Sequence, residues 1–385
     1  MADLIVLAGA IAGKPYYGGH TWVFLQYLLG LRRLGWDVLF LDHLDAAGCR
    51  DAAGQPCSPD RSTNLSYLLD VFGSFGLMES FAVLGEDGQS RVGLSRKQVL
   101  EKVGRAASLI NVMGFLKDEE ILGRARQRVF LDIDPGFGQI WCDLGLHDPF
   151  RGHDVHVTIG ENINQPDCAI PTLGLDWLTT RQPVVLDYWP ARPASGGRWT
   201  SVASWRGAYG PLEYHGKRYG LRVHEFRKFW ELPRLHAEPM EIALEIHPVE
   251  VDDLTRLTEN GWHLADPKTV ASDPWSFQAY LQGSRGEFTV AKNLYVEAKT
   301  GWFSDRSMCY LASGRPVVAQ ETGYSRYLPT GEGLVAFTTL DEAVAAIKEV
   351  SGNYPSHARA ARALAEEFFA SDKVLGRLLD LLGVA

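Results

Sequence analysis

Short apolar runs alternate with longer amphipathic stretches along most of the chain, a pattern that predicts strands separated by helices. Residues 4–8 are an apolar run ending at Gly9 and read as a buried strand. A loop carrying Gly13, Gly18 and Gly19 follows. Val23, Phe24, Tyr27, Leu28, Leu31 and Leu34 then recur at helical spacing over residues 20–34, with Gly35 as the stop. Residues 37–42 form the next apolar run. This strand–helix–strand opening is the signature of a parallel sheet covered by helices.

The alternation continues. Helical patterns occupy 64–78 and 95–109, and strand patterns fall at 110–113, 128–132, 155–159 and 183–186. Between them, residues 46–63 are rich in Gly, Ala, Pro, Ser and Asp and read as a surface excursion. The series completes one doubly wound domain over 1–190. Residues 188–197, with Pro190, Pro193 and a glycine pair, have no apolar period and read as the linker. A second α/β series, 191–370, begins at the strand 199–204. It proceeds through a helix at 223–230, a strand at 242–246, a helix at 252–259, an aromatic turn at Trp262, and strands at 316–319 and 334–337. Thr339 and Glu342 form a capping box that opens a helix reaching Val350. Helices at 355–369 and 372–382 close the chain. No solenoid-type repeat or low-complexity tract occurs.

At 385 residues the chain exceeds what one core usually holds, which supports two domains. A net charge of −9 with no compensating block of Lys or Arg argues against nucleic acid as the main partner. The five cysteines are scattered without a CxxC spacing, so neither structural zinc nor a disulfide framework is expected, and a reducing cytoplasm fits. The first residues lack the basic region of a signal peptide, and no apolar run approaches the ~20 residues that span a bilayer. The expectation is a soluble, cytoplasmic protein.

Residues 301–323 carry the most specific chemistry. Ser304 or Asp305 can cap a short helix whose first turn presents backbone N–H groups, Arg306 and Ser307. Gly314 stops the helix where a positive φ is needed, and Pro316 leads into a buried strand ending in the polar turn Glu321, Thr322, Gly323. A diphosphate suits the helix start, because charge develops there as a glycosidic bond breaks, and a sugar suits the turn.

The opening loop lacks the G-x-G-x-x-G spacing of a dinucleotide site, which disfavours a dehydrogenase. Gly18 and Gly19 can instead admit a ligand close to the backbone. His20 beside them is a candidate base, its ordinary pKa of ~6.5 matching a neutral cytoplasm. Asp132, at the end of a predicted strand, is its candidate orienting carboxylate. Asp132 and Asp134 also make an Asp-x-Asp pattern, but such a metal site needs further ligands, and no metal is expected. Lys217 and Arg218, in the glycine-flanked loop 214–220, suit a diphosphate; Arg206 is a further candidate contact for a phosphate or a base, and Trp262 a candidate platform for a base.

The stretch 284–337 resembles bacterial glycosyltransferase-like proteins of the GT-B superfamily. The likeness rests on Ser-Arg-Gly-Glu-Phe ending at Phe288, Gly-Trp-Phe-Ser-Asp-Arg-Ser ending at Ser307, Ala-Ser-Gly-Arg-Pro-Val-Val ending at Val318 and Thr-Gly-Glu-Gly-Leu ending at Leu334. The resemblance implies two Rossmann-like domains facing across a cleft, with a nucleotide sugar bound mainly to the second. It implies an acceptor on the first and a last helix, within 371–385, crossing back to it. Gly301 and Cys309 stand where one branch of the superfamily has a phosphate-binding histidine and a ribose-binding glutamate, so neither contact carries over. Glu297 and Asp305 share the eight-residue spacing of a glutamate pair in the retaining branch but lie earlier relative to Gly314. The implied activity is transfer of a sugar from a nucleotide diphosphate sugar to an unidentified acceptor without metal. Alternatives are an epimerase of the same fold and a noncatalytic nucleotide-sugar sensor.

Overall fold

The first apolar run becomes β1 (Leu4–Ala8), the innermost strand of an eight-stranded sheet in the computed structural model, which describes residues 3–193, 197–207 and 210–384. Residues 194–196 of the expected linker lie outside the described residues. The other strands are β2 (Asp37–His43), β3 (Phe81–Leu84), β4 (Ser90–Gly93), β5 (Ser108–Val112), β6 (Arg128–Asp132), β7 (Val155–Thr158) and β8 (Trp177–Thr179). Their order is β4-β3-β2-β1-β5-β6-β7-β8, parallel except for the β3–β4 edge. The strand order reverses at β1, which has β2 on one side and β5 on the other.

The second sheet repeats the plan. It consists of β9 (Trp199–Ser204), β12 (Met240–Glu245), β13 (His263–Ala265), β14 (Gly286–Thr289), β15 (Val317–Gln320) and β16 (Leu334–Phe337), with β10 (Leu212–Tyr214) and β11 (Lys217–Tyr219) forming a separate hairpin. The order is β13-β12-β9-β14-β15-β16, all parallel, and it reverses at β9. Open sheets of this kind bind ligands at the carboxyl ends of strands, in the crevice where the order reverses. Each lobe therefore offers one such crevice.

Helix Gly18–Arg33 joins the lobes. Its apolar period buries Phe24, Tyr27, Leu28 and Leu31, and its outer face meets the last helix, Ser371–Leu382. Gly30 lies so close that a Cβ there would stand 2.5 Å from Leu375 Cδ1. The last helix thus packs on the first lobe, where its Leu382 carbonyl also accepts from Gln127 Nε2 at 3.1 Å. The expected strand at 183–186 is a correction. Val184 makes a single bridge to Ala370, and a 3₁₀ turn follows at Leu186–Tyr188, because the chain leaves the sheet here and pairs with the terminal segment. The loop expected at 214–220 is the β10–β11 hairpin, turned by His215 and Gly216 at positive φ. Strands β3, β4, β8 and β14 were not among the expected elements. Among the described residues no helix is long and apolar enough to cross a membrane.

Candidate active site

The two crevices face one another across a cavity of about 900 Å³. The first lobe contributes the loop after β1 and the start of helix Gly18–Arg33. The second contributes the loop after β9, the end of β12, residues 267–272, Lys292 after β14, and the start of helix Asp305–Ala312.

On the first lobe, the loop after β1 is tied to its own sheet. The backbone N–H groups of Ile11 and Ala12 both donate to Asp42 Oδ2 at 2.7 Å, and that of His43 donates to Oδ1 at 2.7 Å. Burial pushes this carboxyl up to about 7, against the pull of those donors. The amide cradle that could hold a phosphate is thus filled by a side chain of the same lobe. Gly18 has a different use from the one expected. Its N–H donates to the Ala271 carbonyl at 2.9 Å, and a Cβ would stand 2.1 Å from the Asp273 carbonyl oxygen. Gly19 is likewise 2.8 Å from Phe277 at its would-be Cβ. Both line the cavity, but their missing side chains let one lobe touch the other.

His20 also lines the cavity. One ring nitrogen, Nε2, lies 2.7 Å from the Ala10 carbonyl, which can only accept, so Nε2 carries the proton and Nδ1 the lone pair. Burial first, and then the nearby Lys14 ammonium, lowers its pKa to about 4. Asp132 does not orient it. That carboxylate is buried, takes hydrogen bonds from Gln139 Nε2 at 2.8 Å and Thr158 Oγ1 at 2.9 Å, and is raised by burial to about 6. The pattern Asp132–Asp134 is split between tasks, since Asp134 receives Lys292 Nζ at 2.5 Å and the Tyr295 hydroxyl. Among the described residues no group of three His, Cys, Asp or Glu side chains is placed to hold a metal ion.

On the second lobe the helix begins as its sequence requires. Ser304 Oγ accepts from Arg306 N–H at 3.3 Å, and Gly314 ends the segment at φ 67°. The amino end opens onto the cavity through Asp305 and Arg306. Arg306 is also a structural strut: its guanidinium donates to Glu287 Oε1 at 2.6 Å, the Val202 carbonyl at 2.7 Å and Thr289 Oγ1 at 2.8 Å. Burial raises the Asp305 carboxyl, against the neighbouring Arg306 and the helix N–H groups.

The decisive cation is one the sequence did not single out. Arg222, opening the helix Arg222–Phe226, lines the cavity and among the described residues makes no hydrogen bond or ion pair. Burial, and then repulsion from Arg306, lowers its pKa to about 10. Around the cavity stand Arg206, Arg222, Lys268, Lys292 and Arg306 with the carboxylates Glu245 and Asp305, and three of these cations are paired with carboxylates behind them, Arg206 with Glu250, Lys292 with Asp134 and Arg306 with Glu287. Among the described residues Arg222 and Lys268 are the cations of this lining without an ion pair, and Arg222 is the one that burial disturbs.

The remaining expected contacts lie elsewhere. Lys217 sits on the hairpin and pairs with Glu297 at 2.8 Å; neither it nor Arg218 lines the cavity. Arg206 does line it, though Glu250 holds its guanidinium in a two-pronged ion pair. Trp262 is a core residue, tilted against Phe226 and Phe288 with its N–H on the Trp230 carbonyl at 2.9 Å. Ser307 is fully buried beside a separate small void. Glu321 caps its own turn by accepting from Gly323 N–H at 2.5 Å, and the Thr322 hydroxyl donates to the Trp302 carbonyl at 2.6 Å. That turn packs into the seam between the lobes, where Gly323 abuts Asn162.

No family model matches the sequence, and no curated protein does. Solved structures do match along the whole chain. An alpha-glucosyltransferase in complex with UDP and a 13-mer DNA superposes with a TM-score of 0.60 at 11% identity, over 99% of each chain. A variant of TarM from S. aureus, in complex with Fondaparinux, alpha-GlcNAc-glycerol and UDP, gives 0.62 at 8% identity over 99% of each. The chain has the GT-B fold. Sucrose-phosphate synthase from Thermosynechococcus elongatus agrees, at 0.55 and 10% identity over 99% of each chain. In GT-B terms, the 900 Å³ cavity is the cleft between the two Rossmann-like lobes.

Proposed function

We propose that the protein is a glycosyltransferase that takes a sugar from a nucleoside diphosphate sugar held in this cleft. The desolvated guanidinium of Arg222, which lines the cleft and among the described residues makes no hydrogen bond or ion pair, carries the reading. Arg222 and Lys292 would meet the diphosphate oxygens, while the backbone N–H groups at the start of helix Asp305–Ala312 and the face of Arg306 complete the anion site. These cations would neutralise the leaving group without a metal ion. The UDP-bound glycosyltransferases that share the fold support a nucleotide as ligand.

In the reaction an acceptor oxygen bonds to the anomeric carbon as the bond from that carbon to the diphosphate breaks. The diphosphate leaves with the electron pair, and the hydroxyl proton passes to His20 Nδ1 or to the departing phosphate. On its own His20 is a weak base, and a bound diphosphate would raise its pKa through the opposite charge.

The test is calorimetry with UDP, GDP, ADP and dTDP, followed by product analysis with the sugar form of whichever binds. Binding of at least one diphosphate, with release of its sugar to water or an acceptor, is expected. Failure of all four to bind would remove the reading. Binding without any bond cleavage would favour the noncatalytic sensor.

A further inference from the structure

The cleft has a second chamber, of about 510 Å³, that shares Tyr17, His20, Ser204, Arg206, Gly207 and Glu245 with the first. What divides them is a bridge between the lobes. The Tyr17 hydroxyl donates to Glu245 Oε1 at 2.9 Å, and Ser204 Oγ donates to the other oxygen at 2.7 Å. Beyond the bridge the chamber adds Lys14, Trp205, His247 and Glu250.

Its electrostatics differ from those of its neighbour. Lys14 and Arg206 stand against Glu245 and Glu250, so the charged groups balance. The polar groups supply both halves of a hydrogen bond. His247 Nδ1 accepts from Val249 N–H at 3.1 Å, which leaves Nε2–H of the neutral ring as a donor, and the carboxylates of Glu245 and Glu250 keep free lone pairs. A hydroxyl both gives and takes a hydrogen bond, so a balanced set of donors and acceptors beside the Tyr17 ring suits a ligand dense in hydroxyls. It does not suit an anion, which the first chamber serves. His20, lining both chambers, stands where a hydroxyl from one would meet an anomeric carbon in the other.

We infer that the second chamber is the acceptor site and takes a neutral, polyhydroxylated acceptor, a sugar or polyol. This rests on the donor reading of the first chamber. Exposed Val249 and Val251 beside His247 and Glu250 would face whatever that acceptor carries outward.

The test uses the full-length protein saturated with the nucleoside diphosphate it binds. Methyl α-glucoside, octyl glucoside and glucose 6-phosphate are added as probes in ligand-observed NMR. His247 is exposed, so His247→Trp fills the chamber without disturbing the core. The expected result is saturable binding of a neutral glucoside, weaker binding of glucose 6-phosphate, and at least tenfold loss of the glucoside in His247→Trp. Nucleoside diphosphate affinity should stay within twofold in that variant. A stronger signal with octyl than with methyl glucoside would favour a lipid-carried sugar. Preference for glucose 6-phosphate, no glucoside binding, or glucoside binding unaffected by His247→Trp would each overturn the inference while leaving the donor site standing. Loss of diphosphate binding in the parent would fail the donor reading instead.

Discussion

The two lobes are built to one plan, and at the same topological place they make opposite choices. Both have a parallel sheet whose strand order reverses at its first strand, and both direct a loop out of that reversal into the cleft. In the first lobe the backbone donors of that loop are consumed by Asp42 of the next strand. In the second, the connection that leaves β9 brings to the cleft Arg222, a guanidinium with no partner among the described residues. A fold provides the location, but the local accounting of donors and charges decides which lobe is left with binding capacity. Under the proposed function the second lobe would supply the anion site, and the first would close the cleft over it with Tyr17, Gly18, Gly19 and His20.

This contrast can be broken at several points. The largest effect is expected from Arg306→Ala, which strands the buried Glu287 and should cost about 3–5 kcal/mol in chemical denaturation. An unchanged midpoint would show that the strut carries no load. Arg222→Ala removes a charge that has no hydrogen-bond or ion-pair partner among the described residues. Affinity for the nucleoside diphosphate should fall by about 10–100-fold, the loss of one or two charge-assisted contacts. Stability in the same variant should hold or rise, since the substitution removes a desolvated charge and its repulsion from Arg306. Equal losses in both assays would mean that Arg222 belongs to the scaffold after all. Gly18→Ala drives a methyl group into the Asp273 carbonyl across the lobe boundary and should cost about 1–3 kcal/mol.

A gentler probe is the titration of His20. Its imidazole resonances should move near pH 4 in the free protein and toward neutral on adding the diphosphate. Because the folded value lies below the unfolded one, the neutral ring's contribution to stability is complete above pH ~6.5 and is lost as pH falls toward 4. A midpoint near the ordinary histidine value would mean that the ring is solvated. The smallest effect is expected from Lys217→Ala and Arg218→Ala, which should leave diphosphate affinity within about twofold, since exposed pairs contribute little. A tenfold loss would return the hairpin to the site.

Much of the fold was legible because its signals are local. The apolar run of β1, the capping box at Thr339 and Glu342 and the glycine stop at Gly314 each state their own conformation. Strand β14 escaped because one of its four residues is Glu287, a charge that looks exterior until Arg306 pairs with it in space. The site suffered the same way. Lys217, Arg218 and Trp262 have the right chemistry, but only tertiary packing shows that one cation serves an ion pair and the ring serves a core. Arg222 gave no sign in sequence, since what distinguishes it is that no group among the described residues pairs with it. Lys292 follows directly on the strand that was overlooked.

The close approach at Gly18 also governs how the molecule can be divided. With Gly18 and Gly19 forming one side of the chamber and Arg222 and Lys292 the other, each half owns only part of the enclosure. A fragment cut near residue 190 would keep its own sheet yet lack a complete pocket and leave bare the face of helix Gly18–Arg33 that Ser371–Leu382 covers. Ligand affinity is therefore a property of the joined chain, and complementation between separately produced halves would have to rebuild that glycine seam before any nucleotide could bind.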